Sequence, residues 1–260
     1  MKPCLTVAAA RRRAVMAAIL LGGLPVAGWA KGGALPALAG PDRQRLEQAL
    51  GPGVVGAPVS MPAVDPETLL APEHGSRTFR LLAGKDQGKD ELHSLAAGQK
   101  SGWDYRVGDA EILRLAREPD GSIVLAGVED RQENVATRYD PPKPLLMKGA
   151  AAGQQFTVHM GVKVFDAKQP DRLRHTGTMD VTADYLGAFR VKVPAGSFDA
   201  VLIRYSANGK IGPARLDNRQ YAFYAPGVGL VASVEAREVS ALAVYHSTEQ
   251  AAKVLAAKAD

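Results

Sequence analysis

The 260-residue chain lacks the side chains that several kinds of functional site require. Its single cysteine, Cys4, lies in an N-terminal segment that we expect to be removed. The remaining chain would then have no disulfide, no thiolate nucleophile and no cysteine-ligated metal. The five histidines show neither a His-Glu-x-x-His motif nor another close ligand spacing. We therefore expect no metal, no cofactor and no catalytic constellation.

The first 30 residues are typical of an export signal. Lys2 and the arginines at 11–13 form a positive region, and residues 14–26 form a short apolar region interrupted by glycine and proline. Gly28-Trp29-Ala30 places small residues where a signal peptidase cleaves, so we expect cleavage after Ala30 and a periplasmic mature chain. The apolar run is too short and too often interrupted for a membrane anchor. The sequence leaves open whether export follows the general or the twin-arginine route.

Most of the net positive charge comes from that same segment. Residues 1–30 contain four of the 32 basic residues and none of the 27 acidic residues. The net charge of +5 for the whole chain therefore falls to +1 in the mature chain. A chain so close to neutral gives no reason to expect nucleic acid or an anionic membrane as a partner. It also contains no apolar run long enough for a transmembrane span.

Composition divides the mature chain into two parts. Residues 31–75 are rich in glycine, alanine and proline and contain one predicted helix at 41–50, where Asp42 can cap or charge the first turn. Residues 76–260 alternate apolar and polar side chains, and we predict an antiparallel β domain of roughly ten strands there. A short helix is predicted at the end of this domain, because Ser247 and Gln250 have the spacing of a capping box.

The strongest alternation lies in the second half of the chain. Residues 156–164 and 178–185 follow a strict period of two, as expected for half-buried antiparallel strands. A loop at 186–188 would pair Tyr185 with Phe189 and Asp184 with Arg190, which matches apolar with apolar and acid with base. A second turn follows at 194–196, where Pro194 and Gly196 suit a tight hairpin. These strands predict a curved antiparallel sheet, either a barrel or a half-barrel with the C-terminal helix in its mouth.

Two segments carry a resemblance to a known family. The sequences VKVPAGSFDA at 191–200 and YAFYAPGVGLV at 221–231 resemble the TapB-like exported bacterial proteins, a family of uncharacterised function related in shape to the periplasmic lipoprotein carriers. The resemblance covers residues 99–246. The family often has tryptophan before the second turn, where this chain has Phe223 or Tyr224. The resemblance implies a lipoprotein-carrier-like sheet in the periplasm and transfers no catalytic residue.

Aromatic side chains on the predicted apolar faces are the candidate ligand-binding residues. Small barrels and half-barrels often enclose an apolar cavity that such side chains line, although aromatic residues also fill solid cores. Both interpretations remain open for this set. The candidates are Trp103, Tyr105, Tyr185, Phe189, Tyr205, Tyr221 and Phe223.

Two weaker patterns favour ordinary structural roles. His159, Asp166, Asp171 and His175 would form a metal site if they met at one edge, but solvated strand faces and a polar turn explain them better. Ser197 follows a glycine in a turn, yet the second glycine of a nucleophile elbow is missing and a strand follows.

We therefore predict an exported, non-enzymatic protein that binds a lipid-like amphiphile, a lipoprotein or another envelope partner. One alternative is a hydrolase whose catalytic residues are dispersed over several strands. The other is a structural envelope protein with a filled core and no ligand.

Overall fold

The computed structural model describes residues 37–73, 75–98, 102–241 and 245–258. The export signal predicted over residues 1–30 lies outside these residues. Neither described helix has the length and apolar character needed to cross a membrane.

The described residues form one antiparallel sheet with two helices beside it. Strands β2 to β13 pair in chain order, and β13 pairs with β2, so these twelve strands close into a barrel. Strand β1 pairs with β9 outside this ring. The helices are α1 (Gly40–Leu50) and α2 (Pro66–Leu70), and the strands are β1 (Val55–Val59), β2 (Ser76–Ala83), β3 (Asp90–Ala97), β4 (Trp103–Val107), β5 (Glu111–Arg117), β6 (Ile123–Asp130), β7 (Val135–Leu146), β8 (Gln155–Asp166), β9 (Leu173–Val193), β10 (Gly196–Ile211), β11 (Ala214–Ala225), β12 (Gly229–Ala241) and β13 (Tyr245–Lys258).

The closed barrel is one of the two predicted sheet forms, but the predicted C-terminal helix is wrong. Residues 245–258 form β13, which hydrogen-bonds to β12 on one side and to β2 on the other. Ala252, Val254 and Leu255 are all buried, because both faces of this strand are covered. A strand covered on both faces loses its period of two. Alanine, lysine and glutamine favour a helix in isolation, and here the pairing on both sides overrides that preference.

The predicted loop at 186–188 is also wrong, because β9 runs without a break from 173 to 193. Leu186 is an extra residue at this point, since Gly187 pairs with Leu202 and Tyr185 with Ile203. This β-bulge exchanges the two faces of the strand. Asp184 consequently pairs with Arg204 instead of Arg190. The predicted turn at 194–196 is present, with Gly196 at a φ of 137° at the start of β10.

Apolar layers lie on both sides of the barrel wall. Inside, Leu69 and Leu70 of α2 belong to a cluster with residues of β3, β5, β6, β7, β9, β10 and β11. Outside, Leu46 and Leu50 of α1 pack against residues of β9 to β13 and β2. The short helix α2 therefore fills part of the barrel interior, whereas α1 covers the outer face of one side.

A buried carboxylate attaches α1 to the barrel. Asp42 lies in the first turn of α1, as predicted, but it is not the N-cap residue, which is Ala39. One carboxylate oxygen instead accepts a hydrogen bond of 2.6 Å from the Tyr221 hydroxyl, and the other accepts one of 2.9 Å from Arg204 Nη1. Arg204 also donates to Asp184 on the neighbouring strand, at 2.9 and 3.0 Å. Removing Asp42 would thus leave a buried hydroxyl without its acceptor.

We expect the Asp42→Ala variant to lower the free energy of unfolding by about 2 kcal/mol, because it leaves buried donors unsatisfied. Urea denaturation monitored by circular dichroism measures this difference. Glu47→Ala is the matched control, since Glu47 lies on the same helix and pairs with Arg43 across an exposed 3.3 Å contact. That exposed pair should contribute less than about 0.5 kcal/mol. Equal losses for the two variants would contradict the proposed attachment.

Candidate functional site

The barrel interior contains a cavity of about 170 Å³. Its lining residues come from α2, from strands β2 to β7 and from β11 to β13, so it lies between opposite parts of the wall. Part of the lining is apolar and the rest carries hydroxyl, amide and charged groups. The leucines of this lining are Leu70, Leu113, Leu115, Leu125, Leu145 and Leu230.

Four ionisable side chains meet at the polar side of this cavity. Glu91 and His93 lie two residues apart on β3 and therefore point to the same face. Lys253 Nζ lies 3.0 Å from Glu91 Oε2 and 3.2 Å from His93 Nε2. His93 Nδ1 lies 2.8 Å from the Tyr105 hydroxyl, and His93 Nε2 lies 2.7 Å from Glu91 Oε2. The closure of β13 onto β2 is what brings Lys253 to the residues of β3.

The surroundings fix the charges of this cluster. Burial lowers the pKa of His93 to about 4, although the hydrogen bond with Glu91 opposes this change. Burial alone would raise the pKa of Glu91, but His93 and Lys253 lower it to about 2. At pH 7 the cluster therefore contains an ionised Glu91 and a neutral His93. In the tautomer that fits, Nε2 donates to Glu91 and Nδ1 accepts from the Tyr105 hydroxyl.

Arg77 also lines the cavity, and its guanidinium group donates hydrogen bonds to backbone carbonyls. Its side chain is almost completely buried, and Nε donates to Val228 O at 2.6 Å. Nη2 donates to Ala71 O at 2.7 Å and to Leu70 O at 3.3 Å. Gly229 has a φ of 90°, and a Cβ atom there would lie 2.9 Å from Arg77 Nη2. Arg77 thus joins the end of α2 to the β11–β12 turn through Nε and Nη2.

The remaining charged lining residues are Glu111, Lys143 and Glu235. Glu235 accepts a hydrogen bond of 2.9 Å from Asn218 Nδ2. Burial, followed by repulsion from Glu235 and Asp130, raises the pKa of Glu111. Burial lowers the pKa of Lys143, and its Nζ lies 5.2 Å from the centre of the Tyr205 ring.

The cluster offers acid–base groups but no activated nucleophile. Ser233 is buried and lines the cavity, and it is the register partner of Lys253. Within the described residues, no hydrogen bond joins the Ser233 hydroxyl to Lys253 or His93. A serine nucleophile requires a base within about 2.6–3.2 Å. This arrangement gives no support to a hydrolase, and the absence of catalysis stays a prediction.

The barrel wall separates the seven aromatic candidates into two groups. Trp103, Tyr105, Tyr185 and Tyr205 pack in or against the interior cluster, or line its cavity. Phe189, Tyr221 and Phe223 belong to the outer layer with α1.

The hydroxyl groups of the interior tyrosines mostly have structural partners. Tyr185 accepts a hydrogen bond from the Met147 amide at 2.6 Å, and Tyr205 donates to Leu145 O at 2.6 Å. Tyr105 lines the 170 Å³ cavity, whereas Tyr221 lines a groove on the outer surface. One shared aromatic pocket is therefore not formed, and the binding role of these residues stays a prediction.

The outer groove is the larger cavity, with about 610 Å³ between α1, β2 and strands β11 to β13. Side chains of both charge signs alternate along it, as on an ordinary solvated surface. They include Arg45, Asp217, Arg219 and Glu238. The interior cavity, whose lining combines leucines with hydroxyl and charged groups, is the stronger candidate site.

No group of three or more histidine, aspartate or glutamate side chains suited to a metal ion occurs among the described residues. His159 lies on the outside of the barrel, 2.7 Å from Asp180. Asp166 accepts a hydrogen bond of 2.6 Å from Arg174. The alternative metal site is therefore not assembled by the fold.

Comparison with known proteins gives a remote likeness of shape. No protein-family model matches the chain, and no curated protein does. A crystal structure of a Bacteroides fragilis protein described as exported, with a YmcC-like fold, is 16% identical with a TM-score of 0.42, covering 72% of this chain and 96% of its own. A Parabacteroides distasonis protein described as a lipoprotein is 14% identical with a TM-score of 0.37, covering 76% and 100%.

The third neighbour is the hypothetical lipoprotein YmcC of Escherichia coli, which is 9% identical with a TM-score of 0.38 and covers 76% of this chain and 91% of its own. At such low identity and TM-score, these likenesses say nothing about what this chain binds. None of these three neighbours is described as TapB-like, so that resemblance stays a prediction.

Proposed function

We propose that this chain is an exported, non-catalytic protein that holds a small amphiphile in the barrel interior. The supporting observation is the cavity itself, where six leucines adjoin hydroxyl and charged groups. Binding sites for small molecules usually combine a mostly apolar lining with a few polar groups that orient the ligand. The export part of the proposal rests on the signal-like sequence of residues 1–30.

The volume of the cavity limits the size of the ligand. Sites for drug-sized ligands occupy about 300–1,000 Å³, and the interior cavity is smaller, at about 170 Å³. An apolar cavity of about 150 Å³ in another protein holds benzene. The ligand is therefore an amphiphile of roughly that size, and a long acyl chain exceeds the space. Of the lipid-like ligands that the sequence led us to expect, only the smallest therefore fit this cavity.

Benzyl alcohol, a neutral amphiphile of suitable size, tests the proposal. We expect saturable binding that raises the melting temperature, because a ligand that binds only the folded state stabilises it. Leu113→Phe places a larger side chain at the cavity lining and should weaken binding at least tenfold. Leu92→Phe makes the same chemical change at a leucine that is 58% exposed, and it should leave binding unchanged.

If the cavity holds only water, benzyl alcohol will have no saturable effect on the melting temperature. That result would overturn the proposal and favour a structural envelope protein. Equal loss of binding in the Leu92→Phe and Leu113→Phe variants would also overturn it, because binding would then lie elsewhere. Native mass spectrometry of protein isolated from periplasm provides a second measurement, in which a retained small molecule is expected.

A further inference from the structure

Among the described residues, Lys143 is the cation of the cavity lining that forms neither a hydrogen bond nor an ion pair. It lies on β7 beside Leu145, and its register partner on β6 is Leu125. All three side chains line the cavity. Its Nζ lies 5.2 Å from the centre of the Tyr205 ring. Lys143 thus places a positive charge within the leucine-lined part of the cavity.

The neighbouring cations already contact acceptor groups of the fold. Lys253 forms an ion pair of 3.0 Å with Glu91. Arg77 donates to three backbone carbonyls. Within the described residues, no carboxylate lies within ion-pairing distance of Lys143, although Glu235 acts on it from further away and favours its charged form. Lys143 is therefore the cation of this lining that is free to bind an anion.

Glu111, whose carboxylate is repelled by Glu235 and Asp130, lies far from Lys143. Glu111 pairs with Asp130 at one end of β6, whereas Lys143 pairs with Leu125. The five residue steps from Leu125 to Asp130 span about 15 Å along an extended strand. Repulsion between Glu111 and an anion bound at Lys143 is consequently weak, while an enclosed ammonium without a counter-charge is costly and gains from pairing.

We infer that the ligand of the interior cavity is a small organic anion, an aromatic or short aliphatic carboxylate, whose carboxylate pairs with Lys143 while its apolar part contacts the leucines. This inference rests on the proposed function, since it names the class of ligand for the same cavity. A carboxylate also suits the geometry of the site, because the ammonium donates up to three hydrogen bonds and the leucines beside it accept none.

Three probes that share one ring and differ in charge test the inference: benzoate, benzyl alcohol and benzylamine. We expect isothermal titration at pH 7 to show that benzoate binds at least tenfold more tightly than benzyl alcohol and that benzylamine binds most weakly. In the Lys143→Met variant, benzoate should lose at least tenfold in affinity while benzyl alcohol keeps its own. Lys148→Met, at an exposed lysine just beyond β7, should change neither value.

The outcomes separate the two proposals. Equal binding of benzoate and benzyl alcohol, or a preference for benzylamine, would overturn the anionic ligand and leave the cavity as a binding site for neutral or cationic amphiphiles. Absence of binding for all three probes would overturn the proposed function together with this inference. Binding of benzyl alcohol by the Lys143→Met variant also shows that this variant is folded, so that a loss of benzoate binding is specific to the charge.

Discussion

Replacing Arg77 by alanine should lower the free energy of unfolding by about 4 kcal/mol. The guanidinium group is 2% exposed and donates to the carbonyl groups of Leu70, Ala71 and Val228. A hydrogen bond from a charged donor contributes about 1.5–3 kcal/mol, and each buried carbonyl left without a donor adds to the loss. The truncation also detaches the end of α2 from the β11–β12 turn, so the interior helix loses its anchor.

Urea unfolding at pH 7 measures the effect of Arg77→Ala, and Arg80→Ala is its control. Arg80 lies on the same strand and forms a paired contact with Asp90, but that contact is exposed to solvent. Exposed ion pairs contribute little to stability, so this control should leave the free energy of unfolding almost unchanged. If both variants unfold at the same urea concentration, Arg77 does not anchor α2.

The second large effect is a loss of stability in mild acid. The folded-state pKa of His93 is about 4, below the ordinary value of 6.5. Between these two pH values the unfolded chain binds a proton at His93 that the folded chain does not bind, so stability falls as the pH is lowered. This difference in the pKa of His93 contributes roughly 3 kcal/mol to the free energy of unfolding at pH 7, and the contribution is fully lost near pH 4.

Glu91 extends the same trend to lower pH. Its folded-state pKa of about 2 is below its ordinary value of 4.5, so its contribution is present above pH 4.5 and is lost as the pH falls towards 2. Because Glu91 and His93 are hydrogen-bonded, their titrations are best treated as those of a pair.

Urea unfolding at several pH values between 7 and 4 measures this dependence. His93→Gln keeps a hydrogen-bonding side chain without a titrating ring and should remove most of the slope. His159→Gln makes the same change on the outside of the barrel, where the imidazole is 67% exposed, and should leave the slope in place. A slope that persists unchanged in His93→Gln would show that other groups cause the acid sensitivity.

The sequence predicts the antiparallel class of this fold because several strands have one buried and one solvated face. Residues 156–164 alternate strictly and lie within β8, and the Pro-Asp-Gly turn at 119–121 connects β5 to β6. At such positions, the local pattern and the tertiary structure agree. Helix α1 is found where leucine spacing and the following Gly-Pro predict it.

The prediction fails where the strands are covered on both faces. Residues 252–255 are mostly buried, because the lumen lies on one side and α1 with its layer lies on the other. A run of Ala-Lys-Val-Leu then has no period of two, and helix propensity suggests the wrong element. The bulge at Leu186 is equally invisible, since it depends on pairing with a strand that comes later in the chain.

The candidate site was harder to predict than the fold. Glu91, His93 and Lys253 belong to β3 and β13, which are not neighbours in sequence and come close only through β2. In sequence, a lysine or glutamate on an alternating strand looks like a solvated residue, and nothing local shows that it points into a closed lumen. The aromatic residues, which attract attention in the sequence, are mostly used to fill the two apolar layers.

The closing pair between β2 and β13 also has a kinetic consequence. Every other neighbouring pair in the ring joins strands that are consecutive along the chain, whereas this pair joins residues 77–83 to residues 252–258. Closing so long an intervening loop costs more entropy than forming a local hairpin. Contacts between residues so far apart in sequence therefore slow folding. Until β13 arrives, β2 and β12 each present an unpaired edge, and Lys253 is missing from the lumen. A chain with this topology would form its local hairpins first and enclose its interior cavity only in the last step.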